Sequence, residues 1–198
     1  MLPRLINLAC STKPTRKQRE KVVPFASGDV LEIGFGSGLN LPYYDRDKVR
    51  RIWGLEPSES MRRLASGSIS ESEMDIELIE LPAEEIPLDD ESVDTVLVTY
   101  TLCTIPEALQ ALEQTRRVLR PRGRLLYCEH GKAPDDNVQK WQHRLNPAWK
   151  KIAGGCNLHR DIPAILDESG FLIEDDNRMY LPGVRALSYN YWGSARIR

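Results

Sequence analysis

The 198-residue sequence predicts an α/β fold, a doubly wound, mostly parallel seven-stranded sheet with helices on both faces. Three observations predict it. Short runs rich in Val, Ile and Leu alternate along the chain with segments of helical period. The first run, over 30–33, leads straight into the turn Gly34-Phe35-Gly36-Ser37-Gly38. A second apolar run, over 52–55, ends in Glu56, about 20 residues after the turn. Glycines remove the Cβ atoms that keep a backbone from closing on a flat, charged ligand. A carboxylate at the end of the neighbouring strand can accept both hydroxyls of a ribose. Strand, glycine turn, helix, strand and acid form the layout of a nucleoside-binding half-fold. Ligands of such sheets lie beyond the carboxyl ends of the strands. Gly34, Glu56, residues 99–103, Glu129 and His130 fall there.

Each element follows from local pattern. Residues 2–22 read as helical, with an apolar stripe at Leu2, Leu5, Ile6 and Ala9 and a break at Pro14. Lys13, Arg16, Lys17, Arg19 and Lys21 form a basic face, read as solvated surface; contact with a membrane surface through it is not expected. After strand one, a helix is expected from about Gly38, with Pro42 tolerated in its first turn. Strand two covers 52–55, and Ser58 N-caps a helix over 58–65. A polar loop at 71–75 precedes strands at 76–81 and 93–99, the latter β-branched. Over 107–119 a helix turns Ala108, Leu109, Leu112, Thr115 and Leu119 to the core, and Arg116, Arg117 and Arg120 sit near its C-terminus, where cations offset the dipole. Pro121 and Gly123 end it before strand five at 124–128. Helices at 136–150 and 161–168, the second stopped by Gly170, precede strands at 171–175 and 187–191, expected to pair as an antiparallel hairpin. The chain reads as one domain: a helical cap over 1–22, a cofactor-binding core over 22–130, and substrate-lid helices with the last strands over 131–198.

Composition narrows the class. A net charge of −2 gives no global electrostatic reason to bind nucleic acid. The four cysteines, Cys10, Cys103, Cys128 and Cys156, show neither Cys-x-x-Cys nor zinc-ligand spacing, so reduced thiols in a cytoplasmic protein are expected. His143 and His159 find no third ligand, and no metal is expected. No apolar run approaches the ~18 residues of a membrane span. Leu8-Ala9-Cys10 is not read as a lipoprotein site, because Arg4 and Asn7 interrupt the short apolar stretch before it.

The glycine spacing narrows the ligand. A dinucleotide fingerprint wants Gly-x-Gly-x-x-Gly, whereas here the third glycine comes one residue early and Leu39 follows it. This weighs against a nicotinamide-dependent oxidoreductase, the enzymatic rival; a cofactor-binding interaction module is the rival from another class. Glu32 adds negative charge suited to a cationic amino-acid ligand. Glu32-x-Gly34-x-Gly36-x-Gly38 resembles motif I of the class I S-adenosylmethionine-dependent methyltransferases. Glu56-Pro57-Ser58 resembles the acidic segment that holds the ribose there, residues 83–94 the segment over the adenine, and residues 118–125 the turn before strand five. Pro82 stands where many relatives carry an aspartate that bonds the adenine amino group, and Arg122 replaces a glycine of the turn.

Past strand five, Glu129-His130-Gly131, Trp141, Leu145-Asn146-Pro147-x-Trp149 and Gly154-Gly155-Cys156-x-Leu158-x-Arg160 resemble the methyltransferase type 11, methyltransferase-like branch that includes animal thiol S-methyltransferases. The resemblance implies a Rossmann-like fold and S-adenosyl-L-methionine as cofactor, with S-adenosyl-L-homocysteine as product. It implies cofactor contacts from Glu32, Gly34, Gly36, Gly38, Asn40, Glu56, Pro57, Met61, Ala83, Glu84 and Thr99. Tyr100, Cys156 and Arg160 are the substrate candidates, and His130 the candidate general base. The implied partner is a small, apolar methyl acceptor, a thiol ahead of a quinone or a phospholipid headgroup. A thiol ionises near neutral pH and needs little help from a base.

Overall fold

The computed structural model describes residues 7–198. The strands are β1 (Gly28–Ile33), β2 (Val49–Leu55), β3 (Ile76–Ile79), β4 (Val93–Thr99), β5 (Leu119–His130), β6 (Phe171–Tyr180) and β7 (Tyr189–Ile197). The helices are α1 (Lys13–Arg19), α2 (Glu59–Ser70), α3 (Ala108–Val118), α4 (Asp136–Ile152) and α5 (Ile162–Glu168). The sheet runs β3-β2-β1-β4-β5-β7-β6, with β1 to β5 parallel and β7 antiparallel to both of its neighbours. This is the expected doubly wound sheet. Its strand order reverses beside β1, and the carboxyl ends of β1, β2 and β4 open there onto one crevice.

The pleat sorts the aliphatic runs between two cores. Leu31, Ile33, Val96, Val98, Leu125 and Tyr127 pack on one face with α3 and α5, while Val30, Leu97, Leu126 and Cys128 pack on the other with Ala65 of α2. Central strands buried on both faces read as continuous apolar runs, which is why these elements were visible in the sequence. In α3, Ala108, Ala111, Leu112, Thr115 and Val118 are buried; burying Leu112 alone contributes about 1.5–3 kcal/mol. Leu109, expected inward, is 38 % exposed.

Three expectations are corrected. No α-helix follows the glycine turn: residues 37–40 are turns and Leu41–Tyr43 is a single 3₁₀ turn. Gly38 at φ +78° and Pro42, which lacks an N–H, prevent a regular helix, and Asn40 and Tyr44 are drawn inward to Glu32 instead. Residues 7–10 are helical and the expected break comes at 11–12, just ahead of Pro14, which sits in the first turn of α1, where the missing N–H costs nothing. Leu2, Leu5 and Ile6 lie outside the described residues. The C-terminal hairpin exists but is longer than expected and displaced; residues 185–187 form a 3₁₀ turn before β7. β5 also runs on through Pro121 and Gly123 at its start, with a register irregularity against β4 absorbing them.

Candidate functional site

At the carboxyl ends of β1, β2 and β4 lies a cleft of about 460 Å³. The glycine turn forms its floor, and its three glycines do different work. Gly34, at φ +75°, lies so close to the loop after β4 that a Cβ would stand 2.1 Å from Thr101 Oγ1. Gly36, at φ +59°, is uncrowded, with only ordinary contacts where its Cβ would be, to Met61 Cε at 3.5 Å and the Gly34 carbonyl oxygen at 3.8 Å. Gly38 shapes the turn at φ +78° but does not line the cleft. Gly34 therefore serves chain packing, and Gly36 leaves room for a ligand.

Two carboxylates flank this floor. Glu56, at the end of β2, accepts the Gly36 N–H at 2.9 Å on one oxygen and the Ser58 N–H at 2.9 Å on the other. Each oxygen keeps a second lone pair toward the cleft, and burial raises the carboxyl's pKa above its ordinary value. Glu32 is 1 % exposed. It accepts Asn40 Nδ2–H at 2.9 Å and the Tyr44 hydroxyl at 2.6 Å, and burial pushes it up to about 7. Asn40 Nδ2 also reaches Thr99 Oγ1 at 2.9 Å, while its Oδ1 is buried without a partner.

Opposite these acids stands a buried cation the sequence reading left among surface residues. Arg19 of α1 is 3 % exposed and lines the cleft. Its Nη1 donates to the Cys10 carbonyl at 2.7 Å, its guanidinium stands 5.2 Å from the Tyr100 ring centroid, and its Nε has no partner. Among the described residues no carboxylate forms an ion pair with it. A buried, unpaired charge is costly unless something completes it. One end of the cleft thus offers an unpaired cation, a buried acid and an unused acceptor. That set matches the carboxylate and ammonium of a free amino-acid group, the polar end of the implied cofactor. Pro57, Met61, Pro82, Ala83, Ile105 and Pro106 give the other end apolar walls, with Glu84 at the rim. The residues present therefore fit such a cofactor.

The segment behind the β4 loop is built differently. Tyr100 lines the cleft with φ at +54°, an uncommon conformation for a non-glycine residue. Glu129, fully buried, accepts the N–H groups of Thr101 at 2.7 Å, Leu102 at 2.9 Å and Cys103 at 3.1 Å; burial pushes it up to about 7. Arg160 Nη1 donates to the carbonyls of Leu102 and Ile105. Asn157 gives its backbone and side-chain N–H groups to the Cys103 carbonyl at 2.9 and 3.0 Å. From both sides, the loop over 101–105 is held by groups that never reach the cavity.

Of the expected site residues, Glu32, Gly34, Gly36, Asn40, Glu56, Pro57, Met61, Ala83, Glu84, Thr99 and Tyr100 line one cleft. Gly38, His130, Cys156 and Arg160 do not. His130 is 7 % exposed, with Nδ1 3.6 Å from Cys156 Sγ and Nε2 unpartnered. The Cys156 thiol's pKa is pulled down by its hydrogen bonds, first with Cys103 and then with His130. Arg160 Nη1 braces two backbone carbonyls and the side chain does not line the cleft, where the expected substrate anion would lie. Gly154 and Ala153 are what that segment contributes to the cleft wall. Arg19 and Cys10 were missed: Arg19 and Gln18 are the buried residues of α1, while Lys13, Arg16 and Lys17 are exposed, and residue type does not separate Arg19 from these cations.

Residues 31–127 match a family model described as a methyltransferase domain. Over 152 residues the chain is 34 % identical to human thiol S-methyltransferase TMT1B, covering 74 % of this chain and 62 % of that protein. It is 29 % identical over 117 residues to phosphatidylethanolamine N-methyltransferase of Cereibacter sphaeroides, covering 58 % of this chain and 57 % of that one. The chain thus spans about three fifths of the length of these relatives. A solved structure of a SAM-dependent methyltransferase from Aquifex aeolicus superposes with a TM-score of 0.64 at 18 % identity, covering 97 % of each chain.

Proposed function

We propose that this chain, which belongs to the class I S-adenosylmethionine-dependent methyltransferases, methylates a small apolar thiol. When bound, the cofactor supplies a methyl carbon that a nucleophile displaces in line from a sulfonium, so the protein's work is alignment and exclusion of water. In this reading Arg19 holds the cofactor's carboxylate, and Glu32 with Asn40 Oδ1 receives its ammonium. The free lone pairs of Glu56 accept the ribose hydroxyls. Met61 and Ala83 flank the base, with Pro82 removing one polar contact that many relatives make. Tyr100, Thr104 and Gly154 stand at the acceptor side.

The observation that carries the thiol reading is the placement of the histidines. The chain has three, and none lines the cleft. An alcohol or phenol must hand its proton to a positioned base, whereas a thiol loses it to water near neutral pH. The name of the human relative supports the same choice. A cytoplasmic setting, a small-molecule acceptor and no nucleic-acid partner belong to this proposal; the net charge of −2 and the four free cysteines support it. The test is conversion of the methyl donor with matched thiols, quinols and lipid amines. Turnover on thiols ahead of the others supports the reading. Preference for a quinol or an amine moves the acceptor class, and binding without turnover on any of them leaves an interaction module.

A further inference from the structure

Helix α4 has its polarity turned inside out. The residues it buries are polar: Gln142 donates to the Gly131 carbonyl at 3.0 Å and accepts the Ala133 N–H at 2.9 Å, and Asn146 accepts the Leu158 N–H at 2.8 Å. Val138 and Trp149 are half-buried, but three large apolar residues lie on the surface, with Trp141 55 %, Leu145 37 % and Ile152 64 % exposed, and Ala148 is exposed beside them. At roughly 100° per residue these four lie within an arc of about 60°. Lys140, Arg144 and Lys151 run along one border of the stripe, and the Arg144 guanidinium stands 5.5 Å from the Trp141 ring centroid. Lys150 is also exposed. After Asp136 the helix carries no acidic residue, although the chain as a whole has a net charge of −2. Trp141 and Ile152, each more than half exposed, gain little from the protein's own core.

We propose that α4 docks on an anionic membrane surface. The helix would lie in the plane of the interface, with Trp141, Leu145 and Ile152 entering the headgroup boundary and the cations meeting lipid anions. Charge selects this occupant. A second copy pairing through the same stripe would bring an equally basic helix against it, since a two-fold contact places like on like. An anionic bilayer complements both the apolar and the basic parts. Among the described residues no helix is long and apolar enough to cross a membrane, and the contact proposed for α4 is one along the surface. Ile152 is followed directly by Ala153 and Gly154 of the cleft wall. Docking therefore brings the cleft rim to the lipid, where apolar acceptors concentrate. The attachment itself stands apart from the methyltransferase reading.

Co-sedimentation with phosphatidylcholine vesicles, with and without about 30 % phosphatidylglycerol, tests this. Wild type should partition onto the anionic vesicles, more weakly as salt rises. The double variant Trp141→Asp/Ile152→Asp should lose about tenfold or more. Lys140→Gln/Lys151→Gln should lose about fivefold per cation. Far-ultraviolet dichroism and the melting temperature, measured without ligand, should match wild type in all variants, separating lost docking from misfolding. No binding by wild type to anionic vesicles, or unchanged binding in the double variant, overturns the proposal. So does a dimer in light scattering that Ile152→Asp splits, which would assign the stripe to a second copy.

Discussion

The two walls of the cleft are built by opposite logic. On the β1–β2 side the residues that carry the motif reach the cavity themselves: Gly36 opens it, and Glu32 and Glu56 line it. On the far side, Glu129, Asn157 and Arg160 never reach it and instead satisfy the backbone of residues 101–105 from behind. The comparison teaches that a charged residue in a functional segment can be spent wholly on shaping a loop. Geometry separates the two uses, and residue type does not.

The largest effect should come from setting two glycines of the same turn against each other. Gly34→Val places a branched Cβ against Thr101 in a left-handed conformation and should destabilise the fold by several kcal/mol, of order 3–5. At Gly36 a Cβ meets nothing closer than 3.5 Å, so Gly36→Val should cost only about 1–2 kcal/mol of conformational strain, yet abolish the melting shift caused by S-adenosylhomocysteine. If Gly36→Val is still stabilised by the ligand like wild type, the turn does not face the cofactor.

Arg160→Ala comes next. It leaves two buried carbonyls short of a charge-assisted donor, so stability should fall by about 2–4 kcal/mol. Denaturant midpoints measure this. Were Arg160 instead a substrate anchor, stability would barely move and only the acceptor KM would rise.

On the cofactor side the effects should be on affinity. Glu56→Ala and Arg19→Gln should each weaken S-adenosylhomocysteine by about ten- to a hundredfold. With 5′-methylthioadenosine, which lacks the amino-acid end, Glu56→Ala should still matter and Arg19→Gln should not. Calorimetry that shows equal losses for both ligands in Arg19→Gln would remove Arg19 from the amino-acid site.

The smallest effect is a proton. In the folded chain Glu32 and Glu129 are raised from an ordinary value of 4.5 to about 7 by burial. Between those values the folded state binds more protons than the unfolded state. The stability they contribute is therefore complete below about 4.5 and is lost as pH rises through about 7. A ligand ammonium beside Glu32 favours its ionised form, so cofactor binding should release a proton near pH 6 and tighten as pH rises toward 7. Calorimetry in buffers of different ionisation enthalpy reads that release, and Glu32→Gln should eliminate it.

What the sequence made legible follows the same division. The apolar runs of β1, β2 and β4 are buried on both faces, so their patterns were unambiguous, and motif spacing carried their ends to the cleft. β6 exposes residues 174–178, charged and polar on an edge strand, and its pattern ended early. The helix expected after Gly38 failed because Asn40 and Tyr44 find stronger partners in buried Glu32 than a helix surface offers. Arg19 was hidden among cations of one helix, since charge alone does not tell a solvated residue from one that α1 turns into the cavity. His130 and Cys156 lie beside each other and neither lines the cleft, which their place after strand five in the sequence does not reveal.

In the proposed reaction the cleft aligns an acceptor able to ionise by itself. The most direct test is turnover against pH for wild type and His130→Ala, with a thiol and a phenol of matched size. Wild type should turn over the thiol, with a rate that follows the acceptor's own ionisation, and His130→Ala should change that rate by less than about threefold. A preference for the phenol, or a loss of ~10²–10⁴-fold in His130→Ala, would show that a base operates in this site and would contradict the account.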